Sequence, residues 1–482
     1  MLGTMTSSTY DFLLKELEGK IAQPHSDGYE ASLKSYFTVQ ETELRPAFII
    51  FPTSAHDVSR ILKSLAACDT GTKACTKVAV RGGGHSPFAG SANVNDGITI
   101  DLRSINTVEV NETRSIASIG GGAIWGHVYE KLDPLGLSVL GGHVYDVGVG
   151  GFTLGGGFSS LSPRYGMCCD MVENFEVVLA NGEIINANAN ENSDLWTALK
   201  GGSNNFGIVT RFDMRTFQQG KQWAGLVVYP ITTLDDHWKA LESMGNDWDP
   251  YGSLKLSITF SPQTKFTIAS NFEYTKEDSA PDVFRAFMDI APQYRNTMKI
   301  TTLSETAKDI QKLQANGVRQ IFATTSFYYS AAHLQNIYSL FKNAVASVEN
   351  TKGIRWTLTY WRIHSSVATK SAACGGNSTG LDTSGGSLVL CVLTYSWEDA
   401  SDDEAMNGAA KLFIEEVDKL SSDAGLFNRY KYVNYSAGYQ DPISGYGDEM
   451  KAKLQEISKK YDPEGFFQTN VPGGFKIFLT TG

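Results

Sequence analysis

Three consecutive glycines and one imidazole follow directly on an apolar run in Val78-Ala-Val-Arg81-Gly82-Gly83-Gly84-His85-Ser86-Pro87. Glycine tolerates positive φ and carries no side chain, so a ligand can come within hydrogen-bonding reach of the backbone N–H groups of such a loop. Those groups suit an anion, and a pyrophosphate is the natural candidate. A second block starts 56 residues after His85: Gly141-Gly-His-Val-Tyr-Asp-Val147-Gly148-Val-Gly-Gly151-Phe-Thr-Leu-Gly155-Gly156-Gly157, with eight glycines among 17 residues. A helix or strand held by side-chain packing cannot be that poor in side chains. The block reads instead as backbone wrapped round a large planar or phosphate-bearing ligand. Neither block contains Gly-x-Gly-x-x-Gly, and no Walker lysine follows a glycine loop, which disfavours a nicotinamide Rossmann site and a P-loop.

The elements that must position these loops are legible around them. Ser54 to Ala67 is predicted helical, with Val58, Ile61, Leu62 and Leu65 on one face. The strand Lys77 to Val80 then delivers the first glycine turn. Ile98 to Leu102 and Ser115 to Ile119 are short β-rich runs, and Phe175 to Ala180 with Glu183 to Asn186 forms a hairpin around Asn181-Gly182. A short helix, Asp194 to Lys200, ends at Gly201, and strand pattern resumes from Gly207 to Phe217. Composition changes near Gln218. Strands Trp223 to Tyr229, Ser253 to Phe260, Phe266 to Tyr274 and Leu388 to Trp397 then mix with helices His237 to Met244, Pro281 to Ile290 and Ala332 to Val348, as in a sheet covered by helices. Ala372 to Gly386, rich in Gly, Ser and Thr, reads as a mobile loop, and Asp448 to Lys460 is a last helix.

The 482 residues allow several compact units, and 42% hydrophobic content provides an ample core. A net charge of −11 argues against nucleic acid. No run of 18 apolar residues exists to span a membrane. Met1 to Lys20 lacks a signal-peptide pattern, with Tyr10 to Gly19 reading as a short amphipathic helix. The compartment stays open between cytoplasmic and, had a leader been removed, secreted or endomembrane. Six cysteines show no zinc spacing, and no metal is expected; Cys68 and Cys75 flank a short loop and could pair. Sequons at Asn111 and Asn377 permit glycosylation.

The two glycine blocks together, with Gly120-Gly-Gly-Ala-Ile-Trp-Gly126 and Tyr432-Val-Asn-Tyr435, resemble the vanillyl-alcohol-oxidase-type (PCMH-type) flavoproteins, most of all the fungal berberine-bridge-enzyme-like FAD-linked oxidoreductases. The likeness runs from Arg45-Pro46 through Arg211 and resumes from Tyr432 to Ile477. It implies an α+β fold of two lobes: an FAD-binding domain from 40–217, a substrate-binding domain of antiparallel sheet covered by helices from 218–425, and a segment 426–482 returning to the first. It further implies that the Arg81 to Ser86 loop holds the FAD pyrophosphate and that His85 is joined covalently to the flavin 8α carbon. Many relatives add a cysteinyl link; Val144 stands at that position, so one tether and no second link is expected. Val147 matches a position where valine admits O2 to the reduced ring. Gly148, Gly151, Gly155, Gly156, Gly207, Val209 and Asn470 match cofactor-holding positions.

For the proton that leaves during substrate oxidation a base is needed near the flavin. The resemblance points to Tyr432, on a family strand facing the ring, with Tyr395 on the central strand as the alternative. The acidic residue that some relatives carry on that strand is absent from Ser387 to Ser396. The implied activity is oxidation of an alcohol or activated C–H of a hydrophobic secondary metabolite, with O2 reduced to H2O2. Oxidative ring closure or cycloaddition, carbohydrate oxidation, and a flavin-retaining binding module are the alternatives. The oligomeric state is open.

Overall fold

The structure is a computed structural model describing residues 17–68 and 76–478. Most of the expected helix Tyr10 to Gly19, and the expected Cys68 and Cys75 pairing, lie outside the described residues. Helix Ala55–Cys68 forms as its apolar spacing predicts and buries Val58, Ile61, Leu62 and Leu65 on a four-stranded sheet. The sheet order is Ile21–Ala22, Phe48–Ile50, Ile98–Asp101, Val78–Arg81. Ile98–Asp101 is buried throughout and runs parallel to both neighbours, as expected for strands covered on both faces. A five-stranded antiparallel sheet follows, ordered Val108–Val110, Ile116–Gly120, Ile208–Arg215, Val172–Val178, Ile184–Asn188. Its last two strands are the predicted hairpin, with Gly182 at φ +78° in the turn.

The middle of the chain builds a nine-stranded antiparallel sheet. Besides the expected strands, here Gln222–Pro230, Gly252–Ser261, Lys265–Tyr274 and Leu388–Trp397, it contains Arg319–Tyr328, which carries no clean alternation in sequence, and Arg355–Ile363, whose alternating Trp356, Thr357, Leu358, Thr359 and Tyr360 are a strand signal the sequence reading missed. Period-2 geometry gives the sheet two chemically different faces. Leu254, Leu256, Ile258 and Phe260 pack under helices Leu234–Ser243, Ala331–Val348 and Asp403–Asp423. Lys255, Ser257, Thr259 and Ser261 point the other way, toward the glycine loops. Pro281 to Ile290 is shorter than expected, a 3-10 turn and the four-residue helix Arg285–Met288.

The two halves share a core. Trp361, Ile363, Leu388, Leu390 and Val392 of the large sheet cluster with Trp125, Phe158, Leu161 and Cys168. The loop expected to be mobile is docked: Ser378 and Thr379 are buried, and the Ser378 hydroxyl lies 3.0 Å from the Lys200 carbonyl oxygen. Its Gly/Ser/Thr content serves close packing rather than freedom. The Asn377 amide donates to the Asp170 carboxylate at 2.9 Å, so this sequon's side chain is engaged in holding the loop. The chain's end closes the first half: the Asn470 carbonyl accepts from the Val78 N–H at 2.7 Å, and Phe466, Phe467 and Val471 join the core under Val78. Phe427–Asn428 adds an edge strand to the large sheet.

Candidate active site

The two glycine blocks meet backbone to backbone. A Cβ on Gly83 would lie 2.5 Å from the Gly148 nitrogen, and one on Gly148 would lie 2.4 Å from the Gly83 nitrogen. Only a pair of glycines permits that approach. Together they floor a cavity of about 1170 Å³, lined by Gly82, Gly83, Gly84, His85, Ser86, Val147, Gly148, Gly151, Gly207 and Val209 of the expected residues. Nothing stands within 4 Å of where a Gly151 Cβ would project, so a larger residue there would protrude into the space. The volume exceeds the roughly 300–1,000 Å³ of an ordinary ligand pocket and leaves room for FAD and a substrate together. The chemistry of the floor, side-chain-free backbone beside a helix start at Val149, fits a pyrophosphate.

Several expected site residues have other tasks. Arg81 does not line the cavity: its fully buried guanidinium donates to the Ser32 and Ser35 carbonyls at 2.8 and 2.9 Å, stacks over Tyr36 and faces Asp101 at 3.6 Å. It braces the glycine loop from behind, with Gly84 at φ +72° passing over its Nε. Gly155 and Gly156 make room for Asn434 and Met167 rather than for a ligand. Asn470 secures strand Val78–Arg81, while its neighbours Phe467 and Val471 reach the cavity. Tyr395 is on the wrong face. Its hydroxyl donates to Asn407 at 2.8 Å beneath helix Asp403–Asp423, and the residues of its strand that line the cavity are Val392, Thr394 and Ser396.

His85 lies at the cavity wall with its ring stacked on Phe37, centroids 3.9 Å apart and planes 18° from parallel. Burial pulls its pKa down to about 4, so the imidazole is neutral at physiological pH and a ring nitrogen keeps its lone pair. The sequence offered no route to Phe37, which lies before the glycine strand and is tied to the loop by its N–H to the Gly84 carbonyl, 3.0 Å. Aromatic contacts continue from Phe37 to Phe322, Tyr435 and Tyr432, with successive centroids 6.0, 5.7 and 5.0 Å apart.

Tyr432 also lines the cavity, on an extended segment entering a single 3-10 turn rather than on a strand. Its hydroxyl oxygen accepts from the Phe158 N–H at 3.1 Å and from the Asn434 amide at 2.9 Å. Burial nevertheless pushes its pKa well above 10. At neutral pH it is a phenol whose proton is available to donate, not a standing base.

Val144 and Val147 line the cavity, whereas Cys168 and Cys169 are fully buried thiols with pKa values raised by burial. The opposite wall is the large sheet. Its hydroxyls pair across strands, Ser257 with Thr359 at 2.8 Å and Thr259 with Thr357 at 3.0 Å. The expected apolar pocket therefore has an aromatic side and a hydroxylated side. Sequence alternation from Lys255 to Ser261 contained that signal, but nothing in it said which face looks inward. Among the described residues no cluster could hold a metal ion, and no helix is long and apolar enough to cross a membrane.

Comparison with known proteins agrees with this geometry. The family described as FAD binding domain matches residues 46–188. An FAD-dependent monooxygenase of Fusarium proliferatum (strain ET1) is 34% identical over 456 residues, covering 92% of this chain and 87% of the relative. The solved berberine-bridge-enzyme-like 1 protein of Physcomitrella patens superposes with a TM-score of 0.76 at 19% identity over 98% of this chain and 99% of that one. Glucooligosaccharide oxidase from Acremonium strictum, described with a 6-S-cysteinyl, 8α-N1-histidyl FAD, superposes at 0.73 with 21% identity over 98% of this chain and all of its own. The chain belongs to the FAD-dependent oxidoreductases that carry this FAD-binding domain, and its fold is that of the berberine-bridge-enzyme-like proteins.

Proposed function

We propose that this enzyme is an oxidase: it takes two electrons from an alcohol or activated C–H of a small secondary metabolite and passes them to O2, giving H2O2, with FAD tethered through His85 alone. The observation that carries the reading is the Gly83 and Gly148 contact beneath a cavity walled by both His85 and Tyr432. FAD, when bound, supplies the two-electron acceptor; the protein supplies orientation and the electrostatic environment. Residues 40–217 and 426–482 hold the cofactor in this reading, and 218–425 hold the substrate.

The neutral His85 imidazole, held flat by Phe37, presents a nitrogen free to form a bond. Val144, at the place of the second tether in relatives, has no nucleophile to offer. Tyr432 is kept in place by two N–H donors and orients the substrate oxygen by a hydrogen bond, while the proton released on oxidation passes to water. The hydroxyl pairs of the large sheet favour a second reading, a carbohydrate substrate.

Anaerobic mixing of the purified yellow enzyme with candidate metabolites tests the proposal. An oxidase bleaches under nitrogen without NADPH and recovers its colour in air with one H2O2 per turnover. A requirement for NADPH, with oxygen entering the product, identifies a monooxygenase instead. A net-neutral cyclisation consumes no O2.

A further inference from the structure

The cavity wall contains no Asp or Glu among the described residues, although the chain carries a net charge of −11. It does contain four cations, Lys255, Arg295, Lys312 and Arg355. All four come from residues 218–425 and none from the glycine blocks themselves. Arg295, Lys312 and Arg355 are exposed at the mouth, whereas Lys255 is deep, with its side chain only 11% exposed.

Lys255 is built into the end of the cavity nearest the second glycine block. Its ammonium sits 4.5 Å from the centre of the Trp361 ring, and the His143 ring meets the same indole edge-on at 5.2 Å. His143 immediately precedes Val144. The Lys255 nitrogen forms a buried ion pair with the Glu273 carboxylate at 3.7 Å, too long for a hydrogen bond, so its donors stay unsatisfied although its charge is countered. The Nδ1 atom of His143 is likewise buried without a partner. Buried polar atoms in native proteins are paired as a rule, and an orphan asks for a missing acceptor. Burial also lowers the Lys255 pKa while Glu273 only partly offsets this. A ligand anion would restore what desolvation removes.

We propose that the substrate is an acid: a small, flat molecule carrying an ionised oxygen, carboxylate or phenolate, which is drawn in past Arg295, Lys312 and Arg355 and seats that oxygen on the Lys255 ammonium above Trp361. Its remaining hydroxyls lie against the Ser257, Thr259, Thr357 and Thr359 pairs. Lys312 is paired with Asp309 at 2.8 Å, so Arg295 and Arg355 supply the positive field that raises the local concentration of such a ligand, and more so at low salt. This inference rests on the reading that the cavity receives the small-molecule substrate, but its test needs no turnover.

Calorimetric titration of the holoenzyme with benzoate and benzamide, and with 4-nitrophenolate and nitrobenzene at mildly alkaline pH, compares each anion with a neutral analogue. The anions are expected to bind roughly tenfold to a hundredfold more tightly, the range of a charge-assisted hydrogen bond, with the advantage shrinking as salt is added. The benzoate and nitrophenolate arms tell carboxylate from phenolate. Lys255→Met should abolish the preference and Lys255→Arg should keep it, at unchanged flavin content. Equal binding of anion and neutral analogue, no binding of either anion, or a preference that survives in Lys255→Met overturns the proposal. Failure of the oxidase assay with intact anion binding would sink the redox reading and leave this one standing.

Discussion

The rings of Phe37 and His85 lie face to face, 3.9 Å between centroids, at the wall where the first glycine loop enters the cavity. Stacking fixes the imidazole plane, and the same enclosure keeps it unprotonated. His85→Ala is expected to remove all flavin that survives acid precipitation, and Phe37→Ala to slow its attachment. Because burial holds the His85 pKa near 4, attachment of FAD to apoprotein should proceed at a constant rate as pH falls through 6.5, the ordinary imidazole value. It should decline only toward about 4. Acid-stable flavin measured against time at several pH values checks this, and a wild-type midpoint near 6.5 would refute it. In Phe37→Ala, whose imidazole is wetter, the midpoint should move up.

Gly83→Ala puts a methyl group against the Gly148 backbone at 2.5 Å. Backbone cannot rotate away as a side chain can, so a loss of roughly 1–3 kcal/mol is expected from overpacking. Gly148→Ala should act alike, and the double variant should fall short of the sum, since both substitutions force one gap open. Thermal melts with flavin quantification on the same samples provide the readout.

Tyr432→Phe deletes the acceptor used by the Phe158 N–H and the Asn434 amide. A drop in stability of about 1–3 kcal/mol is expected from the unpaired groups, together with slower flavin reduction under nitrogen at unchanged flavin content. Tyr395→Phe loses its bond to Asn407 and its contact with the Tyr439 hydroxyl, both away from the cavity. It should lower stability by about 1 kcal/mol and leave the reduction rate alone; a reduction defect as large as that of Tyr432→Phe would return Tyr395 to the site.

Val147→Leu adds bulk at a residue that lines the cavity beside the Gly148 contact. Reoxidation by dissolved O2 should slow while anaerobic reduction is unaffected. Stopped-flow traces of the two half-reactions separate the effects, and equal reoxidation rates in both proteins would remove Val147 from oxygen control.

Glu41 is fully buried behind the first loop, accepting from the Ser91 hydroxyl at 2.7 Å and the Ala92 N–H at 2.8 Å. Burial outweighs these bonds and raises its pKa from 4.5 to about 7. The folded state then binds more protons than the unfolded chain, so Glu41's contribution is whole below about 4.5 and is lost as pH rises through about 7. The loss amounts to roughly 3 kcal/mol. Glu41→Gln should flatten the stability profile across that window in denaturant titrations.

The glycine loops were legible because a demand on the backbone writes itself into composition: no residue but glycine fits at Gly83 and Gly148. Helix Ala55–Cys68 was legible through its apolar face. Residues whose role depends on which way they point were not. Leu388–Trp397 reads correctly as a strand, yet strand parity decides that Thr394 sees the cavity and Tyr395 sees a helix, and parity is set by partners far away in sequence. Arg81 stands inside the predicted motif but turns back toward Ser32 and Asp101. Phe37 and Phe322 come to the site only through tertiary contact with no local spacing to mark them, and Lys255 stands in a clean alternation that does not say which face looks inward. The docked loop around Thr379 misled through composition alone, since small residues serve tight packing as readily as motion.

The bond from the Val78 N–H to the Asn470 carbonyl joins the strand that opens the chain's first glycine loop to a residue near its last turn. A ribosome releases the amino-terminal part first and the closing segment last. The wall residues Phe467 and Val471 and the last backbone partner of strand Val78–Arg81 are therefore missing during nearly the whole of synthesis, while the glycine loops and the large sheet can already assemble. A product truncated before Phe466 is expected to have an open-sided cavity and to retain flavin less firmly than the 482-residue chain.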